Sequence, residues 1–138
     1  MFATPDEAET AFYTAFANTD LDAMMAVWLD SDVITCIHPV GPRLSGRAAV
    51  RESWAGIFRN SGSLKFRLAD VHRTQDGLLS VHILHEYIVV PGEQEARAPA
   101  VATNVYQLTS QGWRMILHHA SPVAMPVRVT AAASAKLH

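Results

Sequence analysis

Apolar residues recur at helical spacing along the start of the chain: Ala8, Ala11, Phe12, Ala15 and Phe16. That pattern predicts an amphipathic helix. Thr4-Pro5-Asp6-Glu7 supplies its start, with a capping side chain, a proline suited to the first helical position and a glutamate placed for a capping box. The helix should end near Asn18. Asp20 caps a second, shorter helix that carries Met24, Val27 and Trp28 on one face. "SDVITCIHP" then reads as a strand, and "VGPRLSG" as a loop with a short strand near Leu44. Ser45 or Gly46 opens a third helix, striped by Val50, Trp54, Ile57 and Phe58 and closed by "NSG" at residues 60–62.

Beyond residue 62 the period changes from helical to alternating. "LKFRLADVHR" is a strand, "QDG" a tight turn and "LLSVHILHEYIVV" a long strand; "PGEQEARAP" is a loop. "AVATNVYQLT" and "WRMILHHAS" form a hairpin across "SQG". Residues 1–122 form one domain. Residues 123–138, with Pro126 and "TAAASAKLH", predict a flexible tail. Helices segregated from a mostly antiparallel sheet define an α+β fold. A long sheet twists and curls, so the expected shape is a conical half-barrel, a curved mixed or antiparallel sheet wrapped around three helices from the N-terminal half.

Alternation also suggests which side chains face the inside. With "SQ" at the turn centre, Leu108 pairs with Trp113, Tyr106 with Met115, Asn104 with Leu117 and Ala102 with His119. This puts Trp113, Met115, Leu117, Leu108 and Tyr106 on the core face, with Asn104 and His119 as polar groups among them. Arg114 and His118 then point outward. In the long strand, Val81, Ile83, His85, Tyr87 and Val89 form the more core-like set, and His82, Leu84, Glu86, Ile88 and Val90 the outer one.

Composition narrows the classes. The chain has 138 residues, 49% hydrophobic and 17% charged, with a formal net charge of −2. That suits one globular domain and lacks the basic patch that nucleic acid requires. The single cysteine, Cys36, excludes an internal disulfide or a cysteine-based zinc site. "MFATPDEAE" does not read as a signal peptide, and no stretch reads as a bilayer helix, so the expectation is a cytoplasmic protein without membrane contact. His118 and His119 are adjacent on a strand and point to opposite faces, so they cannot share a metal ion. His38, His85 and His119 could meet at one, but no metal and no cofactor is expected.

"ITCIHPVG", residues 34–41, holds the first candidate. His38 shares a strand face with Ile34 and Cys36, and Pro39 ends the ladder there, which sets the imidazole at the rim of the core. An imidazole exchanges protons near neutrality, so His38 can act as a general base or hold its loop. His119 can act as acid/base or orient a carbonyl, and Asn104 can donate to an oxyanion. Met24, Trp28, Trp54, His85, Tyr87 and Tyr106 are the expected pocket lining. Glu86 and Arg114 read as surface or dimer-face ions, and Cys36 as inert packing.

The order helix, helix, strand, helix, sheet resembles the nuclear transport factor 2-like superfamily. "AFANTDLDAMMAVWLDSDVITCIHPVGPRLSGRAAVRESWAGIF" is similar to its polyketide-cyclase-like (SnoaL-like) and ketosteroid-isomerase-like branch. Shared features are Asp20 opening the second helix, Trp28, a strand ending in proline, Gly46 leading into "AVRESW", and the ending "TNVYQLTSQGWRMILHHASP". The "TC" strand and this ending also resemble the association domain of calcium/calmodulin-dependent kinase. The resemblance covers roughly residues 5 to 122 and rests on element order. It implies a cone with a ligand cavity, no cofactor, and a homodimer formed through the outer sheet face. It admits isomerases, dehydratases, cyclases and hydrolases as well as non-catalytic modules.

Two functions follow as expectations. One is a small-molecule-binding protein with an apolar cavity, acting as a cofactor-free acid/base enzyme on a hydrophobic, carbonyl-bearing substrate. The other is a non-catalytic ligand-binding or oligomerisation module. His38, His119 and Asn104 converging on an open cavity would favour the first, and an interior filled by tryptophan and methionine the second.

Overall fold

The structure is a computed structural model that describes residues 1–89, 92 and 99–124. Most of the expected tail and most of the loop before residue 99 lie outside the described residues. Helix α1 (Pro5–Ala17) is capped by Thr4, whose hydroxyl accepts the Glu7 N–H, while Glu7 reaches back to the Ala3 N–H. Helix α2 (Leu21–Val27) is capped by Asp20, which accepts the Ala23 N–H. Strands β1 (Thr35–Ile37) and β2 (Leu44–Ser45) precede helix α3 (Arg47–Arg59). Its N-cap is Gly46, which has no side chain to offer; Asp32 accepts the Arg47 N–H instead. Four long strands follow: β3 (Lys65–Asp76), β4 (Leu79–Val89), β5 (Ala100–Thr109) and β6 (Gly112–Pro122).

The six strands form one sheet in the order β2-β1-β6-β5-β4-β3. β1 runs parallel to β6 and every other pair is antiparallel, so the sheet is mixed. Two bulges shape it. On β3 an extra residue sits between the pairs Ala69–His85 and His72–Ile83, where Asp70 takes φ +50. On β6 the pairing steps from Tyr106–Met115 to Val105–Leu117, leaving Ile116 unpaired. Such bulges bend a strand and raise its twist. The hairpin turn closes at Gly112, with φ +87, where an added Cβ would stand 2.6 Å from the Phe2 carbonyl oxygen. Only glycine fits that approach.

The helices pack on the concave face of the sheet. Phe12, Met24, Met25, Trp28, Ile34, Cys36, Trp54, Leu84, Tyr106 and Met115 form the buried core. Arg47 ties α3 to α2 by donating to the carbonyls of Met25, Trp28 and Leu29.

Two facing assignments are corrected. On β4 the buried set is Ser80, His82, Leu84 and Glu86, so His85 and Tyr87 lie on the convex face, Leu84 and Glu86 are inside, and Ile88 follows them in phase. Both sets on this strand are apolar enough to be core, and apolarity alone picked the wrong one. On β6 the expected pairs hold up to Met115; the Ile116 bulge then inverts the phase, so His118 is buried and His119 exposed. Leu117 moves to the convex side with it, and Leu108 is partly exposed at the hairpin end. Val90 lies outside the described residues.

Candidate functional site

One row of cross-strand neighbours traverses the concave face: Arg73 on β3, His82 on β4, Asn104 on β5, His118 on β6 and Cys36 on β1. Side chains directly opposite each other lie close enough to interact, which makes this row a polar band through the core. Helix α1 lies over it and contributes Glu9 and Tyr13, one turn apart on its inner face.

The band's hydrogen bonds run in one direction. His118 Nδ1 lies 2.6 Å from Asn104 Oδ1, an oxygen that can only accept, so the Nδ1 hydrogen is donated there. Asn104 Nδ2 donates to the Tyr13 hydroxyl at 2.9 Å, and that hydroxyl donates to Glu86 Oε2 at 2.6 Å. All four side chains are buried. Burial pushes the Glu86 carboxyl up to about 7, although the Tyr13 hydrogen bond opposes the shift. Burial, then the neighbouring Glu86, drives the Tyr13 phenol upward. His118 is held down to about 3 by burial and then by the nearby His38 and His119, so it stays neutral and keeps an Nε2 lone pair.

His38 sits at the rim, half-buried, on the same strand face as Cys36. Ser53 Oγ donates its only hydrogen to the Val50 carbonyl at 2.8 Å, so the His38 Nε2 at 3.1 Å carries the proton and donates to Ser53. His38 thus ties β1 to α3 rather than to its own loop. Its ring stands edge-on to Trp54 at 4.8 Å and lies 6.2 Å from His118, and burial lowers its pKa. Cys36 is buried and its thiol is pushed up to about 12 by burial, which leaves it without thiolate character.

A second cluster lies one turn earlier on α1. Arg73 Nη2 donates to Glu9 Oε2 at 2.6 Å, Glu9 Oε1 meets His82 Nδ1 at 2.9 Å, and His82 Nε2 meets Ser80 Oγ at 2.9 Å. Burial alone would raise the Glu9 pKa, but the bonds from His82 and Arg73 outweigh it and hold the carboxylate below its ordinary value.

Among the expected site residues, Asn104 and His38 are on the inside, but His119 is not; it points to the convex face with His85 and Tyr87. His85 there lies 3.3 Å from Asp70, and Tyr87 lies under the Arg67 guanidinium at 4.2 Å. The conceivable three-histidine site is therefore not assembled, and among the described residues no cluster of three metal-ligating side chains is present. Met24, Trp28, Trp54 and Tyr106 are fully buried, as parts of the core. The missed residues are Glu9, Tyr13, His82, Glu86 and His118. Glu9 and Tyr13 were readable, since they share the α1 face of Pro5, Ala8 and Phe12.

A small α+β cone of this kind defines the nuclear transport factor 2-like superfamily. Residues 6–126 match the SnoaL-like domain, and the chain belongs to that family. A solved structure from Thiobacillus denitrificans, provisionally named a calcium/calmodulin-dependent protein kinase type II association domain, is 42% identical, with TM-score 0.86, covering 90% of this chain and 98% of that one. A Streptomyces avermitilis structure, provisionally named a dehydratase of the NTF2-like family, is 32% identical, with TM-score 0.77 and coverages of 88% and 95%. The F-box protein SKIP8 of Arabidopsis thaliana is 30% identical over 112 residues, which are 81% of this chain and 46% of SKIP8. The chain thus spans about half the length of that curated relative.

Proposed function

We propose that the chain is an association domain that pairs with a second copy through the convex face of its sheet, and that the Glu86–Tyr13–Asn104–His118 chain acts as an internal strut. The observation that carries this reading is the occupied interior. Phe12, Trp54 and His118 are fully or almost fully buried, and the rings of Phe12, Phe16, Trp54, Phe58 and Phe66 stack edge-on or tilted at 4.6–6.3 Å. Each side chain of the strut bonds to a neighbour within it, which offsets the desolvation cost of burying it. The convex face is apolar for a surface facing water. Its rows read Thr74–Val81–Val105–Leu117–Thr35 and His72–Ile83–Thr103–His119–Ile37, and Ile83 is 43% exposed. Val81, Val105, Leu117, Ile83 and Ile37 are interspersed there with threonines and histidines, and a two-fold pair would cover these apolar side chains on both copies. The name carried by the Thiobacillus relative is in keeping with this.

Light scattering on the full chain at micromolar concentration should give a dimer, and Ile83→Lys should give a folded monomer. A wild-type monomer overturns the reading.

A second reading is the cofactor-free acid/base enzyme acting on a small carbonyl compound. One observation favours it: a buried carboxyl near pKa 7 beside a phenol is the kind of pair that can hold or deliver a proton at neutral pH. The Streptomyces relative's name is in keeping with that reading. A hydrophobic ketone that raises Tm in the wild type but not in Glu86→Gln would favour it over the strut.

A further inference from the structure

The strut leaves the Ser80–His82–Glu9 cluster unused, and that cluster has a different character. Its bonds have the order of a nucleophile relay: Ser80 Oγ to His82 Nε2 at 2.9 Å, and His82 Nδ1 to Glu9 Oε1 at 2.9 Å. Glu9 can only accept at that oxygen when ionised, so the Nδ1 hydrogen faces it, and Nε2 is the nitrogen that faces the serine hydroxyl. Arg73 fixes the other Glu9 oxygen at 2.6 Å. Tyr106, the cross-strand neighbour of Ser80, is fully buried, and its ring lies 4.8 Å from His82. Its hydroxyl has no partner within hydrogen-bond geometry among the described residues, with Asn104 as a polar neighbour. The geometry points to Ser80 as an activated nucleophile for compact esters, with His82 as its base, Glu9 orienting the ring and Tyr106 as the oxyanion donor.

Ser80 and His82 are both buried, and an exposed side chain, Asp6, stands next to the relay. Asp6 Oδ1 lies 4.0 Å from His82 Nε2 and 3.6 Å from Arg73 Nε, and the Asp6 and Arg73 side chains are 63% and 42% exposed. A loose surface contact of this kind contributes little stability, so the Asp6 side chain can swing aside while Arg73 stays on Glu9. In the reaction, Ser80 Oγ bonds to the ester carbonyl carbon and its proton passes to His82 Nε2. The ester C–O bond breaks and the leaving alcohol takes that proton. Water, deprotonated by His82, then attacks the acyl carbon; the acyl–serine bond breaks, a carboxylic acid leaves, and His82 returns the proton to Ser80 Oγ.

This inference goes beyond the association reading and does not depend on the oligomeric state. Its test is treatment of the full chain with methanesulfonyl fluoride, a compact serine reagent, followed by intact mass measurement and peptide mapping. One adduct on Ser80 is expected, forming faster in Asp6→Ala and at least about a hundredfold slower in His82→Gln, the range that loss of a general base produces. With p-nitrophenyl acetate, the wild type should give an acetyl burst that Ser80→Ala lacks. If His82→Gln does not fold, the mapped adduct and the Ser80→Ala burst decide the matter by themselves. An unmodified Ser80 in both wild type and Asp6→Ala, an adduct on another serine, or an unchanged rate in a folded His82→Gln overturns the inference.

Discussion

Across the concave face one row of the sheet reads Arg73, His82, Asn104, His118 and Cys36; across the convex face the adjacent row reads His72, Ile83, Thr103, His119 and Ile37. The inner row is the more polar of the two, yet it is the buried one. His82, Asn104 and His118 are almost wholly excluded from solvent, while Ile83 is not. Apolarity therefore does not separate the faces. What separates them is partnership: α1 brings Glu9 and Tyr13 onto the inner row, and each buried polar side chain there meets another. A polar group with its bonds made can lie in a core at little net cost, whereas an apolar one can lie at a surface awaiting cover.

The comparison can be broken first at its packing. Trp54→Ala removes the ring against which Phe12, Phe16, Phe58 and His38 pack, and should lower stability by about 3–5 kcal/mol in urea unfolding. A loss below about 1 kcal/mol would mean that the inner face is hollow and the contrast wrong.

Next comes hydroxyl removal on each face. Tyr13→Phe strands both the Asn104 amide and the Glu86 carboxyl, at about 1–3 kcal/mol for each group left unpaired. Tyr87→Phe, on the convex face, should stay within about 0.5 kcal/mol. Equal costs for the two would erase the distinction.

The smallest effect is read from pH. Glu86 has a folded pKa raised from 4.5 to about 7, so the native state binds the proton more tightly than the unfolded chain. The stability this contributes is fully present below the unfolded value and is lost as pH rises through the folded one. Glu86→Gln should lack that loss. The stability of the variant relative to wild type should rise by on the order of 2 kcal/mol between pH 5 and 7, from about 1.4 kcal/mol per pH unit. Parallel pH profiles in thermal unfolding would place the carboxyl in contact with water.

Local chemistry announced itself along the chain, and tertiary pairing did not. Thr4, Pro5, Glu7 and Asp20 act within a turn of their own position, so α1 and α2 start where their caps predict. The turn at Ser110–Gln111 and the first pairs of its hairpin followed from alternation for the same reason. The inner face of β4 did not follow, because Ser80–Glu86 and Val81–Tyr87 are both plausible core sets and the choice rests on what α1 carries. Glu86 looked like a surface ion because its partner, Tyr13, is distant in sequence. His38 is half-buried, and its hold on Ser53 of α3 could not be read from its own strand.

The unpaired Ile116 gives this strand an unusual route to change. Because the bulge reverses the phase between Met115 and Leu117, the inner face beyond it is decided by whether Ile116 bulges out or pairs, and not by side-chain identity. A strand that kept this residue but paired it with Val105 would hold Trp113 and Met115 in place and bring the second histidine of the pair inward in place of the first. Absorbing the bulge into the ladder, with no residue gained or lost, would thus exchange a bonded interior imidazole for one in another register, rewiring the polar band without substituting any of its members.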